Sequence, residues 1–134
     1  MKIQTVGVEY VLQIWSAVAP YIERALQYTD DYNLDQVKVF ITNGSWILLV
    51  AVDDLQQIHG VATVAFDNDV NYRTAFITTI GGKGIIKSDI FGQMVNILRR
   101  MGATRIQGYA RDSLTRLYIR HGLNNKANLV EIKL

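Results

Sequence analysis

Three features of the sequence predict an α/β (α+β) domain built on one mixed sheet. Between Ser45 and Ile80, three apolar stretches are separated by short polar turns, the pattern of an antiparallel meander. After the glycine-rich turn Gly81-Gly82-Lys83-Gly84 the apolar spacing changes from about 2 to about 3.6 residues. A short strand, Thr104 to Tyr109, then stands between two helical segments, and a right-handed crossover lays it parallel to the strand before the turn. The predicted order is β-α-α-β-β-β-α-β-α-β. No repeat, linker or low-complexity block interrupts residues 1–134, so one domain is expected.

Each element has a local warrant. Ile3 to Val6 forms a short leading strand. Val11, Leu12, Trp15, Val18 and Ala19 have helical spacing, continued by Ile22, Ala25 and Leu26. Pro20, the sole proline, kinks this helix or opens a second one, where its missing N–H is harmless. Tyr28 to Tyr32 reads as a polar loop. Asn33 and Gln36 make a capping pair for a helix that Asn43-Gly44 ends. The strand Ser45 to Val52 carries Ile47-Leu48-Leu49-Val50, a run that suits burial on both faces. Residues 53–57 turn into the strand Ile58 to Phe66, and Asp67-Asn68-Asp69 turns into Arg73 to Ile80. Ile90, Val95, Ile97, Leu98 and Met101 face the core from the helix Ser88 to Met101, which Gly102 stops. Leu114, Leu117 and Tyr118 form the buried stripe of the last helix, which Gly122 ends. Ala127 to Leu134 is expected as a closing strand.

Composition narrows the function classes. The hydrophobic fraction is 49% and the charged fraction 19%, which suits a compact core and not a disordered chain. With no cysteine there is no disulfide, thiolate-bound zinc or cysteine nucleophile. The net charge of +2, with arginines scattered over separate elements, argues against nucleic acid as a partner. Trp46 to Val52, the longest apolar run, is far short of the ~20 residues that cross a bilayer. Met1-Lys2-Ile3-Gln4 lacks the apolar core of an export signal, so a cytoplasmic location is expected. His59 and His121 stand far apart with no carboxylate pair beside them, and no metal site is expected. No Gly-x-Ser-x-Gly elbow, Walker loop or HExxH motif is present.

The most informative stretch runs from Ile77 to Leu123. Strand, glycine turn and helix together make an anion seat, because glycines allow close backbone approach and a helix N-terminus offers unpaired N–H groups. The element order, Gly81-Gly82-Lys83-Gly84-Ile85-Ile86 and Leu117-Tyr118-Ile119-Arg120-His121-Gly122-Leu123 resemble the GNAT superfamily of N-acetyltransferases over nearly the whole chain. The first segment corresponds to that family's Gln/Arg-x-x-Gly-x-Gly/Ala pyrophosphate loop, the second to its Leu-Tyr-x-x-x-Gly-Phe signature. The resemblance implies acetyl-CoA as cofactor, held by Gly81, Gly82, Lys83, Gly84, Ile85 and Ile86. Tyr118 is then the catalytic acid that returns a proton to the leaving thiolate, and a primary amine is the acceptor.

Several positions depart from the family pattern. Gly81 stands where Gln or Arg begins the loop, and Ile86 where glycine or alanine admits phosphate. Asp89 favours the helix dipole but repels a pyrophosphate at the same end, with Lys83 and Lys87 as the offset. One C-terminal strand is expected where the family has two. Ile14-Trp15, Pro20 to Leu26 and Gly108-Tyr109-Ala110-Arg111 further resemble short phage-encoded GNAT-like proteins. That likeness implies an alternative: a catalytically inactive virion or assembly protein acting as a homo-oligomer or with another phage structural protein. A ligand sensor using another effector is a third reading. For the general base, Glu23, Asp67 and Asp69 are candidates that read more simply as surface and turn residues.

Overall fold

The computed structural model describes residues 1–134, the Ser88 side chain excepted. Its elements are β1 (Lys2–Val6), α1 (Val8–Leu26), α2 (Leu34–Thr42), β2 (Trp46–Val52), β3 (Ile58–Asn68), β4 (Arg73–Gly81), α3 (Ser88–Arg100), β5 (Arg105–Gly108) and α4 (Asp112–Arg120). The five strands form one sheet in sequence order, antiparallel from β1 to β4, with β5 parallel to β4 across the α3 crossover.

Helices cover both faces of the sheet. On one face Val11, Val18 and Ile22 of α1 and Val37 and Ile41 of α2 pack on Leu48, Val50, Val52 and Val61. On the other, Ile90, Phe91, Met94 and Leu98 of α3 and Leu114, Leu117 and Tyr118 of α4 pack on Leu49, Ala51, Ala62, Val64, Ala75 and Ile77. The alternation Leu48/Leu49/Val50/Ala51 therefore feeds two cores, which is why β2 reads as a continuous apolar run.

Local chemistry sets the helix bounds. Asn33 accepts from Gln36 N at 2.8 Å while Gln36 Oε1 accepts from Asn33 N at 2.9 Å, closing a reciprocal cap. Pro20 does not divide α1, which runs unbroken from Val8 to Leu26. Ser16 and Pro20 are both exposed, so the carbonyl that proline deprives of a donor is open to water. Gly44 and Gly102 end α2 and α3 at φ 83° and 94°.

Two expectations are corrected. Ala127 to Leu134 is not a strand; among the described residues no regular element follows α4. In α3 the buried face is Ile90, Phe91, Met94 and Leu98, while Met101 is exposed. Phe91 and Met94 belong to the i, i+3, i+4, i+7 series that begins at Ile90 or Phe91, and the bulk of Val95 and Ile97 obscured it.

Candidate functional site

β4 and β5 pair over four residues only, from Thr74–Arg105 to Ile77–Gly108. At that point β4 carries a bulge: Thr63 opposes Thr79 and Val64 opposes Ile77, leaving Thr78 as the extra residue. Thr63 Oγ1 lies 2.7 Å from Thr78 Oγ1 and 2.6 Å from Thr79 Oγ1, and Thr78 Oγ1 donates to Thr63 O at 3.0 Å. A bulge bends its strand and sharpens the twist. β4 therefore continues to Gly81 after β5 has ended, and the two strands part.

A cleft of about 640 Å³ opens between the C-terminal end of β4, the following loop, α1 and the start of α4. Gly81, Gly82, Lys83, Gly84 and Ile86 line it, as the sequence suggested. Ile85 does not; its side chain is fully buried in the core. Arg24, Lys83, Lys87 and Arg111 also line the cleft, and among the described residues no aspartate or glutamate does. Arg24 lies 4.9 Å over the Tyr21 ring and Arg111 4.1 Å over the Tyr28 ring, which holds both guanidinium groups in place. The convergence of Arg24 with Arg111 left no mark in the sequence, since they stand 87 positions apart in separate segments.

The glycines of the loop are required first by packing. Gly84 N donates to His59 O at 2.9 Å and Ile85 N to Gly82 O at 3.3 Å, so two loop amides are spent internally. A methyl group at Gly82 would lie 2.6 Å from Gly60 Cα, and one at Gly84 2.6 Å from His59 Cβ. Gly82 also has φ 95°. Among the described residues, the amides of Lys83, Ile86 and Lys87 keep no acceptor. Ile86 is partly exposed at the cleft, where its β-branched side chain takes the space that a smaller residue would leave open.

His59 lines the loop end of the cleft, and its Nε2 is 2.7 Å from Asp53 Oδ2. Hydrogen bonds from His59, Gln57 N and Leu55 N hold the Asp53 carboxyl below its usual range. The other acids weighed for base catalysis lie elsewhere: none of Glu23, Asp67 and Asp69 lines this cleft. Asp69 accepts from Tyr72 N at 2.7 Å and from Arg105 Nη2 at 2.9 Å, which occupies it as a turn residue.

Tyr118 is buried between α4 and the sheet, with its ring centroid 5.6 Å from that of Phe91. Among the described residues its hydroxyl has no hydrogen-bond partner, and burial pushes its pKa up to about 12. A methyl group at Gly108 would lie 3.8 Å from Tyr118 Oη. Because Gly108 is the last residue of β5 paired with β4, the hydroxyl stands at the level where the strands part.

No family model matches this chain, and no curated protein matches it. Solved structures match it over nearly their full length. A probable acetyltransferase superposes with a TM-score of 0.73 at 11% identity, over 100% of this chain and 97% of that one. The fold is the GNAT fold. A predicted acetyltransferase from Clostridium acetobutylicum, solved with acetyl-CoA, gives 0.70 at 14% identity over 98% and 95% of the two chains. A ribosomal-protein-alanine N-acetyltransferase from Brucella melitensis gives 0.71 at 10% identity over the whole of both. On this GNAT scaffold the diverging strands and the cationic cleft fall at one end of the sheet.

Proposed function

We propose that the protein binds an acyl-coenzyme A, acetyl-CoA by preference, and transfers its acyl group to a primary amine. The carrying observation is the cleft beside the parted strands, lined by two arginines, two lysines and no carboxylate among the described residues. Such a site suits a ligand with several phosphates at one end. Lys83, Lys87, Arg24 and Arg111 face the diphosphate and sugar phosphate, aided by the free amides of Lys83, Ile86 and Lys87. The stretch of β4 beyond Ile77, which no longer pairs with β5, offers backbone groups to the amides of the coenzyme arm. The solved relative with acetyl-CoA supports the choice of ligand.

When bound, the thioester supplies an activated carbonyl carbon. A neutral amine attacks that carbon, the C–S bond breaks, and the sulfur leaves as thiolate while the nitrogen loses a proton. Tyr118 returns a proton to the thiolate. Its raised pKa keeps the phenol protonated at neutral pH; Tyr118 does not line the cationic cleft, so the thioester would meet it where β4 and β5 part. We assign the amine proton to water, from which Tyr118 regains its own, since among the described residues no aspartate or glutamate lines the cleft.

Titration calorimetry with acetyl-CoA at low salt tests the reading. Micromolar binding is expected, weakened at least about 10-fold by Lys83→Glu, whose side chain is exposed. Gly84→Asp would be uninformative, because it strikes His59 whether or not a phosphate binds. No heat at millimolar ligand overturns the proposal. Turnover can be followed with a thiol reagent free of protein background, since the chain has no cysteine.

A further inference from the structure

We infer that a directed chain of three threonine hydroxyls fixes where β4 leaves β5. Thr63, its central member, is thereby a positioning residue for the coenzyme arm, a role that rests on the function proposed above. Three hydroxyls hold three protons, and the contacts admit one consistent order. Thr78 Oγ1 donates to Thr63 O at 3.0 Å. Its proton is then spent, so across the 2.7 Å contact Thr63 Oγ1 donates to Thr78 Oγ1. The Thr63 proton is spent in turn, so across 2.6 Å Thr79 Oγ1 donates to Thr63 Oγ1. Every proton finds an acceptor, and Thr63 takes part in each of these bonds.

The chain stands at the bulge because the apolar pattern of β4 is out of step there by one residue. Ala75 and Ile77 face the core beneath α3 and α4, and the next β4 residue in that core is Ile80. Strict alternation would put Thr79 in that apolar core and turn Ile80 to the opposite face. The extra residue shifts the phase, so Ile80 packs and Thr79 turns to Thr63. Ala62 and Val64 share the core of Ile80, so Thr63 between them points to the face that α1 covers. Thr63 is fully buried and Thr79 nearly so, and a hydroxyl there without a partner loses its hydration uncompensated. The hydroxyl bonds therefore favour the bulged register over the regular one.

The two ends of the proposed site are held differently. The loop after β4 is fastened to β3 by Gly84 N, which donates to His59 O, and by the buried Ile85. The cations of the cleft come from that loop, from α1 and from the residue before α4. The direction of Thr78 to Gly81, by contrast, is set by the bulge. Releasing the bulge thus disturbs the backbone groups offered to the coenzyme arm and leaves the phosphate end in place.

Thr63→Val keeps the branched shape and removes the hydroxyl, whereas Thr63→Ser keeps the hydroxyl. In the ligand-free protein, amide hydrogen exchange over Thr78 to Gly81 should quicken at least about 10-fold in Thr63→Val. Thr74 to Ile77, which pair with β5, should hold their protection, and Thr63→Ser should stay near the parent. Thr79→Val makes the same change of shape but removes only the first donor, so its exchange should quicken less. Titration with acetyl-CoA should show Thr63→Val binding at least about 10-fold more weakly, with Thr63→Ser restoring most of the loss. Adenosine 3′,5′-bisphosphate, which carries phosphates without the arm, should bind parent and Thr63→Val within about 2-fold. Exchange in Thr63→Val that matches the parent or Thr79→Val overturns the hydroxyl chain as the fixing element. Equal losses for both ligands, or no loss for acetyl-CoA, overturn the positioning role. A parent protein that binds no acetyl-CoA overturns the proposed function and with it that role, while the exchange rates still decide the hydroxyl chain.

Discussion

Tyr118 shows how one side chain can carry a cost that stability alone does not account for. A buried hydroxyl with no partner forfeits its hydration and gains nothing in return, a loss of about 1–3 kcal/mol. Phenylalanine would fill the same space beside Phe91 without that loss. Tyr118→Phe is therefore expected to raise the stability at neutral pH by about 1 kcal/mol, read as a higher midpoint in urea. If the hydroxyl protonates the thiolate, the same variant lowers kcat by about 100-fold with little change in acetyl-CoA affinity. A stabilised variant with undiminished turnover would show that Tyr118 is only a core aromatic. The loop glycines teach the opposite lesson. Their motif pointed to phosphate, yet Gly82 and Gly84 are fixed by the approach of His59 and Gly60, and the cations that line the cleft are Lys83, Lys87, Arg24 and Arg111.

At the level of elements, the legible parts were those whose signals are local. The Asn33–Gln36 cap is a four-residue pattern and it forms as read. Asn33→Ala removes one half of the reciprocal bond and should cost about 1 kcal/mol, whereas Asn33→Ser should restore most of it. Either can be measured by chemical denaturation, and α2 is a sensitive reporter because it is only nine residues long. The meander, the glycine turn and the crossover helix were also readable, since alternation and helical spacing are local properties. What escaped was long-range or depended on a single residue of register. The Thr78 bulge is invisible in Thr78-Thr79 because it exists only against Thr63. The tail at Ala127 to Leu134 has the alternation of a strand but, among the described residues, joins no edge of the sheet. Periodicity reports what a segment is able to do, and pairing decides whether it does so. The cationic cleft escaped for the same reason: α1, the loop after β4 and the residue before α4 each contribute only one or two of its charges.

For the whole molecule, the two sides of neutrality are set by different groups. On the acid side, His121 is held below its ordinary 6.5 by burial, and Asp53, Asp69 and Asp30 below 3.8 by hydrogen bonds. Each binds its proton more readily when unfolded, so each contributes stability above its unfolded pKa that is lost as pH falls through the folded one. The three carboxylates are substantially exposed, and solvent screening keeps their share small. On the alkaline side Tyr118 is 4% exposed, and its pKa is raised from 10.0 to about 12. The unfolded chain loses that proton first, so the stability Tyr118 contributes is present below pH 10 and disappears as pH rises toward 12. A shift of this size corresponds to about 2–3 kcal/mol. Lys133 and Tyr32 also have raised pKa values but lie near solvent, where the linked free energy is screened. Stability measured by urea unfolding should therefore hold from pH 7 to 10 and fall between 10 and 12. Tyr118→Phe should flatten most of that fall and Lys133→Ala little of it, because only the phenol is sealed in the core where ionisation and burial exclude each other. An alkaline limb as steep in Tyr118→Phe as in the parent would place its origin outside the α4–sheet interface.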